Sequence, residues 1–319
     1  MSLPATTAAP PREGEQTIAT SPETVTYYDL PVVKQPVWIW TVPLYFFTGG
    51  VAGSAMVLGA AAQSFGGRRQ REFAERCYWI GGIGGAISSV LLISDLGRPS
   101  RFLYMLRVLR PGSPMSVGSW VLTLATPLAG GSALLARRQR RLGVLARGTG
   151  IGAGILGMPL ATYTAVLLSH SAVPVWLATR KSLPLLFGAS AASSLASVCE
   201  LMPLRPSGRA IVRRFGIAGR AADVLASRLL EKDAAVDPQV GAPLRQGLSG
   251  ALWRAAKVLT AASLLLSLFP GESRVRRRTA GILGIAGGLA LRFAVFHAGK
   301  ESARDPRATF RQQAHGAVR

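Results

Sequence analysis

The sequence predicts an all-α membrane protein with eight membrane-spanning helices. Hydrophobic residues make up 49% of the 319 positions and charged residues only 16%, whereas a soluble domain is about a quarter charged. Uncharged stretches long enough to cross the roughly 30 Å core of a bilayer recur along the chain. The formal net charge of +22 is typical of a nucleic-acid binder. However, the basic residues alternate with apolar stretches and form no single patch, so we expect no nucleic-acid partner.

The termini differ in composition from the rest of the chain. Residues 1–36 are rich in Pro, Thr, Ala and Glu and lack the basic and apolar segments of a signal peptide. We therefore expect a mobile N-terminal tail without a cleavable signal, and a short C-terminal tail at 299–319.

Seven stretches are predicted to span the membrane from hydropathy alone. The first, residues 37–65, is nearly thirty residues long and contains no charge. Each stretch is bounded by arginines or by Pro/Gly turns. The others lie at about 77–94, 115–136, 148–169, 183–203, 250–269 and 279–298.

An eighth stretch, residues 209–231, is ambiguous. Apolar residues recur there at helical spacing, which is compatible with an interfacial amphipathic helix or with a span whose polar face turns inward. The charges that interrupt it are Arg213, Arg214, Arg220, Asp223 and Arg228.

The distribution of basic residues favours eight spans with both termini on the outer face of the cell membrane. In that topology the four inner loops hold four, five, four and four basic residues, and the three outer loops hold four, two and two. With seven spans, the arginine cluster at 274–278 would lie outside, against the positive-inside rule.

Cysteine and histidine usage limits the possible metal chemistry. Cys77 and Cys199 lie far apart in apolar stretches, which excludes a disulfide scaffold, a Cys-ligated iron–sulfur cluster and a structural zinc site. The histidines are His170, His297 and His315. Haem ligation by His170 and His297 is geometrically conceivable, but a single pair without supporting partners is a weak basis. We expect no haem or metal.

Glycines spaced four apart predict close contacts between helices. Alternatively, one such groove is left open to lipid and admits a flat hydrophobic ligand. The pairs are Gly49/Gly53, Gly81/Gly85, Gly150/Gly154 and Gly284/Gly288.

Asp95 ends the second span and precedes a loop in which arginines alternate with apolar residues. Asp95 and Arg98 are spaced to pair on a helix. The loop either lies among lipid headgroups or forms a docking platform for a partner on the outer face. Its arginines are Arg98, Arg101, Arg107 and Arg110.

Tyr163 and His170 are seven residues apart on the fourth span, hence on one face and about 10 Å apart along the axis. His170 is expected at the outer interface, with Tyr163 two turns deeper. A phenol at that depth needs a hydrogen-bond partner, either a neighbouring backbone carbonyl or a quinone carbonyl.

Four further charges are predicted at membrane depth, where ionisable groups are costly. Glu200 could neutralise Arg254 or Lys257, or take part in a proton path. Alternatively, Arg254, Lys257 and Arg292 extend toward the interface as basic residues near span ends do.

Several motifs occur in a characteristic order. They are YYDLP at 27–31, W40 with YFFxGGxAG at 45–53, DLGRPSRF at 95–102, SPMSVGSW at 113–120, YTAVLL at 163–168, PVW at 174–176, LPLLFGAS at 183–190 and LRFAVFHAGKESARDP at 291–306. Read together over residues 27–306, they resemble the NrfD family, the polysulfide-reductase-type membrane subunits of molybdopterin oxidoreductase complexes.

The resemblance implies eight helices in two four-helix bundles, at 37–169 and 170–298, without a redox centre of their own. It implies that menaquinone or ubiquinone binds as substrate in the first bundle. The partners would be a ferredoxin-like [4Fe-4S] subunit and a molybdopterin catalytic subunit. Tyr163 resembles the family's quinone-bonding tyrosine. Lys34 and Gln35 occupy the region before span one where relatives use polar side chains.

Two other functions remain open at this point. One is a structural anchor that holds a catalytic subunit without touching quinone. The other is an ion or small-solute transporter, which would show broken spans paired between halves and a charged site at mid-membrane.

Overall fold

The computed structural model describes residues 33–136, 139–269 and 273–310, with the side chains of 139–141 excepted. In this part of the chain, eight helices contain 20 to 31 residues. They are α1 (Thr41–Phe65), α2 (Arg71–Asp95), α4 (Pro114–Ala136), α5 (Gln139–Ser169), α7 (Ser182–Leu201), α8 (Pro206–Ala234), α10 (Gly247–Leu268) and α11 (Arg274–Arg304). Shorter helices include α3 (Ser100–Met105), α6 (Pro174–Ala178) and α9 (Pro238–Gly241).

Seven of the long helices, all except α8, are long and apolar enough to cross a membrane. The seven predicted stretches are therefore confirmed as helices. α2, α5 and α11 begin earlier than the apolar stretches because their first turns carry arginines, which end a hydropathy signal but not a helix. The motif at 27–31, most of the predicted N-terminal tail, residues 311–319 and the arginine side chains at 137–141 lie outside the described residues.

The ambiguous stretch at 209–231 belongs to a continuous 29-residue helix, α8, which at 1.5 Å per residue is about 43 Å long. α8 runs antiparallel to α7, because Gly216 lies against Ala196 while Gly219 lies against Ala192 and Ser193. Two of its charged residues, Arg220 and Asp223, lie on its buried face. The other charges, which include the exposed Arg213, Arg214 and Arg228, lower its average hydropathy further.

The long helices pack in two sets of four. In the first helix set (α1, α2, α4 and α5), α1 contacts α2 and α5, and α4 contacts the same two helices. In the second helix set (α7, α8, α10 and α11), α7 and α10 each contact α8 and α11. Contacts of α7 with α1 and α5, and of α11 with α1, join the two sets.

Close backbone contact between α1 and α5 depends on glycine. A methyl group added at Gly53 would lie 2.6 Å from both the Gly157 oxygen and the Ala161 nitrogen. The packing role predicted for the spaced glycines is thus confirmed at Gly53, and it recurs where Gly284 lies against Ser197.

Successive long helices run in opposite directions, so their termini form two groups, named here the Asp95 end and the Glu72 end. At the Asp95 end, Asp95 meets the start of α1, and Lys300 near the end of α11 donates to the Trp38 carbonyl oxygen at 2.7 Å. At the Glu72 end, Glu72 near the start of α2 pairs with Arg205 before α8. The arginine cluster at 274–278, at the start of α11, also lies at the Glu72 end.

Candidate functional site

Tyr163 lies on α5, near the Asp95 end, in the middle of the first helix set. Its side chain is almost buried, with a relative exposure of 9%. The ring packs edge-on against Tyr45 of α1, with the centroids 6.4 Å apart and an interplanar angle of 65°. Gly118 of α4 makes room for this ring, because a methyl group at that position would overlap it. Three helices therefore position the Tyr163 side chain.

No described residue hydrogen-bonds to the hydroxyl of Tyr163 or to that of Tyr45. The backbone carbonyl bond considered for Tyr163 is thus absent from the described chain. Buried tyrosine hydroxyls usually find a partner. By contrast, the buried Tyr78 of α2 donates its hydroxyl to Gln63. The two hydroxyls of the Tyr45–Tyr163 pair can therefore serve a polar ligand atom.

Asp95 connects the end of α2 to the start of α1. One carboxylate oxygen accepts from the Ile39 backbone N–H at 3.2 Å and from the Thr41 hydroxyl at 3.4 Å. The predicted pairing with Arg98 is wrong for the described structure, in which no ion pair joins them. The reason is Gly97, whose φ of +68° ends the helix and removes the spacing on which that pairing depended.

Lys34 and Gln35 lie in an irregular segment that precedes α1. Lys34 is exposed and Gln35 is half-buried, and neither side chain hydrogen-bonds to a described residue. The same segment is held at Trp38, whose ring stacks on Trp176 with the centroids 6.2 Å apart. The segment thus lies where α1 meets α11 and α6.

His170 follows directly after α5 and is exposed. Its Nδ1 lies 2.8 Å from the Val166 carbonyl oxygen one turn earlier, which fixes the ring along its own helix end. His297 of α11 instead packs against Phe293 and Phe296. Among the described residues, no cluster of three His, Cys, Asp or Glu side chains could hold a metal ion.

The loop between α2 and α4 is an exposed surface of mixed chemistry at the Asp95 end. Phe102 and Leu106 are half-buried against the body of the protein. The loop's exposed large apolar residues are Leu103, Tyr104, Val108 and Leu109. Its exposed arginines are Arg98, Arg101, Arg107 and Arg110.

Glu200 of α7 forms a buried ion pair with Arg220 of α8. The two carboxylate oxygens accept from the two terminal guanidinium nitrogens at 3.0 and 2.6 Å. Arg220 is fully buried and also donates to the hydroxyls of Ser197 at 3.0 Å and Ser267 at 2.9 Å. This bidentate pair links three helices of the second helix set.

The predicted neutralisation of Arg254 or Lys257 by Glu200 is wrong. Glu200 lies at the Glu72 end of α7, where both its oxygens are bound by Arg220, whereas Arg254 and Lys257 lie in the first half of α10, which begins at the opposite end. Arg254 is exposed, and Lys257 pairs with Glu231 of α8. The sequence does contain a signal for the Glu200–Arg220 pair. The small residues Gly216 and Gly219 mark the face of α8 that packs on α7, and Arg220 lies on that face.

Arg292 of α11 is buried with an exposure of 1% and lies at the junction of the two sets. Its Nη2 donates to the Phe187 carbonyl oxygen at 3.0 Å, and the guanidinium lies 3.8 Å above the Phe187 ring. Its Nε and Nη1 have no partner among the described residues. The buried Asp223 interacts with it electrostatically without a direct ion pair. Arg292 therefore does not extend to the interface.

Comparison with known families identifies one match. The family described as "Polysulphide reductase, NrfD" matches residues 31–210, which is more than half of the chain. The matched region includes α1 to α7 and the first turn of α8, and with them the Tyr45–Tyr163 pair and the exposed loop. The motif at 291–306 lies beyond it. No curated protein matches the chain.

Proposed function

The chain belongs to the NrfD, or polysulphide reductase, family, and on that premise we propose that it is the quinone-interacting membrane subunit of a multi-subunit oxidoreductase. The family is one of membrane subunits of oxidoreductase complexes. In this proposal the subunit anchors the complex and exchanges electrons between the quinone pool and an iron–sulfur partner. Substrate chemistry belongs to the attached molybdopterin subunit.

The observation that carries the proposal is the hydroxyl of Tyr163, which has no hydrogen-bond partner among the described residues and belongs to a ring packed edge-on against Tyr45. A quinone carbonyl is an acceptor that matches a phenolic donor. Tyr163 lies among α1, α4 and α5, and Gly118 leaves its ring free of a clash. Tyr163 would hold one carbonyl oxygen while two electrons and two protons convert quinone to quinol, or the reverse.

Protons must enter or leave on the side where the site meets water. Asp95 and His170 lie at the same end of the helices as Tyr163, and Lys34 and Gln35 precede α1 at that end. Asp95 and His170 are therefore the proposed proton relays, with Lys34 and Gln35 as further polar candidates near the quinone.

The exposed loop is the proposed docking surface for the iron–sulfur subunit. Its four exposed arginines would meet an acidic surface of a ferredoxin-like [4Fe-4S] protein, since complementary charge steers association and fixes orientation. Its exposed Leu103 and Tyr104 would add apolar contact. Docking there places the electron donor or acceptor at the end of the molecule that contains Tyr163.

The proposed topology has eight crossings in two four-helix bundles, with both termini on the outer face of the cell membrane. α8 supports this count, because it follows α7 antiparallel along its length. Near its start Gly208 lies against Phe73 of α2, and near its end Glu231 accepts from Trp253 of α10. The two charges nearest the middle of α8, Arg220 and Asp223, are buried against neighbours, as a spanning helix requires.

One observation favours transport as a second candidate function. Arg292 and Asp223 place buried charge with unsatisfied nitrogens inside the second helix set, where a transporter would bind an ion or a small solute. Uptake of a charged solute into vesicles that contain this chain alone would favour that function.

Substitution of Tyr163 by Phe tests the quinone proposal. The loss of one hydrogen bond, worth about 0.5 to 1.5 kcal/mol, is expected to lower quinone-linked turnover roughly two- to thirteenfold. The measurement is turnover of the assembled complex with quinone or quinol, alongside turnover of its catalytic subunit with a soluble dye. Only the quinone-linked rate is expected to fall.

Tyr78→Phe is the matched control, because Tyr78 is also buried and its hydroxyl bonds to protein. It is expected to leave quinone-linked turnover close to the wild-type rate. Equal quinone-linked rates for Tyr163→Phe and wild type would contradict the proposal and favour a structural anchor.

A further inference from the structure

A cavity of about 630 Å³ lies at the Glu72 end of the second helix set. It is bounded by the end of α7, the start of α8, the end of α10 and the start of α11. This position is remote from Tyr163, which lies near the opposite end of the helices. The cavity therefore does not belong to the quinone site.

The lining of the cavity is strongly basic. Its only acidic lining residue within the described chain is Glu200, and both carboxylate oxygens of Glu200 are already bound by Arg220. That carboxylate leaves little charge to offset the guanidinium groups. The lining arginines are Arg209, Arg213, Arg214, Arg274, Arg276 and Arg277.

One lining arginine is held in position by the protein. The Arg277 Nε donates to the Glu200 carbonyl oxygen at 3.2 Å. Its two terminal nitrogens make no hydrogen bond to a described residue, so they can donate in parallel to two oxygens of one anion. α11, which is 31 residues long, begins at the cavity with Arg274, and its N-terminus adds a positive partial charge.

The cavity also has an apolar side and reaches the surface. Leu204, Ile217 and Leu266 line it together with Phe269, which is 56% exposed. Arg213 and Arg274 are exposed as well. The cavity therefore lies at the helix ends, where headgroups reside, and its lining combines arginines with apolar side chains.

We propose that this cavity binds an anionic phospholipid. The arginines would hold the phosphodiester of the headgroup, for which guanidinium groups have matching bidentate geometry, while the apolar side chains contact the acyl chains. Basic pockets between membrane helices on the inner face bind such headgroups. Free inorganic phosphate offers the same headgroup chemistry without the chains. The assignment is independent of quinone chemistry at the other end.

Lipid binding to the purified full-length chain tests the proposal. The probes are phosphatidylglycerol, phosphatidylcholine and inorganic phosphate, each added to delipidated protein and followed by native mass spectrometry. Phosphatidylglycerol, whose headgroup has a net negative charge, is expected to bind more tightly than phosphatidylcholine, in which choline neutralises the same phosphodiester. Equal binding of the two lipids would overturn the proposal of an anionic-lipid site. Binding of inorganic phosphate as tight as that of phosphatidylglycerol would overturn the lipid assignment in favour of a free-anion site.

A pair of double variants locates the site. Arg213→Gln with Arg274→Gln removes two cavity arginines that make no hydrogen bond to a described residue, and is expected to weaken phosphatidylglycerol binding tenfold or more, roughly. Arg68→Gln with Arg278→Gln makes the same charge change on exposed arginines of the same face outside the cavity lining, and is expected to change it less than about twofold. Equal weakening in both would overturn the proposal, because it would indicate attraction to the whole surface.

Discussion

The two helix sets bury different kinds of polar group. In the first set, the buried polar side chains of the described residues are serines, threonines and tyrosines, whose neutral hydroxyls include the unbonded Tyr45–Tyr163 pair. In the second set, the buried side chains include four charged ones. These are Glu200, Arg220, Asp223 and Arg292.

This difference predicts that buried polar groups stabilise the helix arrangement in the second set and are available to a ligand in the first. A buried ion pair such as Glu200–Arg220 fixes the arrangement of its helices, because either partner left alone would be an uncompensated charge. Neutral hydroxyls cost less to leave without a protein partner, so the first set can reserve Tyr163 for a ligand. The second set is therefore expected to respond to mutation through stability, and the first set through quinone turnover.

The largest expected effect is in the second set. Arg220→Met strands the buried Glu200 carboxylate and is expected to destabilise the protein by about 3–5 kcal/mol. Thermal unfolding in detergent measures this, with the exposed Arg254→Met as control, expected within about 0.5 kcal/mol of wild type. Addition of Glu200→Gln to Arg220→Met should recover much of the loss. Similar unfolding temperatures for Arg220→Met and Arg254→Met would contradict a structural role for the pair.

Crowding of Tyr163 should have a smaller effect in the first set. Gly118→Ala places a methyl group in the space of the ring, and overpacking of this kind costs about 1–3 kcal/mol. Gly130→Ala on the same helix meets nothing within 4 Å and is expected to be neutral or stabilising. Quinone-linked turnover should fall only in Gly118→Ala. Equal turnover in the two variants would show that the ring position does not matter for quinone.

Two substitutions of Asp95 distinguish a structural role from a role in proton transfer. Asp95→Ala removes the acceptor for Ile39 and Thr41 and is expected to cost about 1 kcal/mol in unfolding free energy. Asp95→Asn keeps an acceptor oxygen and should retain stability. A proton relay predicts that Asp95→Asn still lowers quinone-linked turnover. Wild-type turnover in Asp95→Asn would limit Asp95 to holding the start of α1.

The smallest expected effect is at the partly exposed pair of the second set. Lys257 and Glu231 have side chains that are 40% and 37% exposed, and such pairs contribute at most about 1 kcal/mol. Lys257→Met should therefore lower the unfolding temperature far less than Arg220→Met. A loss as large as that of Arg220→Met would show that burial does not determine the cost.

Most of the fold could be predicted from the sequence, but the position of α8 could not. The seven apolar helices follow from runs of uncharged residues, a local property. α8 carries Arg220 and Asp223, which lower its average hydropathy as exposed charges would. Whether such a charge faces water or pairs with Glu200 depends on how α8 packs on α7. A hydropathy value averaged over α8 alone carries no information about that packing.

The candidate site was only partly predictable for the same reason. The YT motif and the spacing to His170 singled out Tyr163. Tyr45 stands in an aromatic run that is equally typical of core, and the role of Gly118 exists only because α4 meets the Tyr163 ring. Asp95 was identified as a candidate, but its partners in α1 became visible only once the helix ends were placed together.

The proposed function depends on a hydrogen bond between a quinone carbonyl and the Tyr163 hydroxyl, and a cryo-EM structure of the assembled complex with bound quinone would reveal it. The expected result is a quinone ring among α1, α4 and α5, with one carbonyl oxygen within hydrogen-bonding distance of Tyr163 and the ring close to Tyr45. Quinone located elsewhere in the complex, with the Tyr163 hydroxyl bonded only to protein, would contradict the claim.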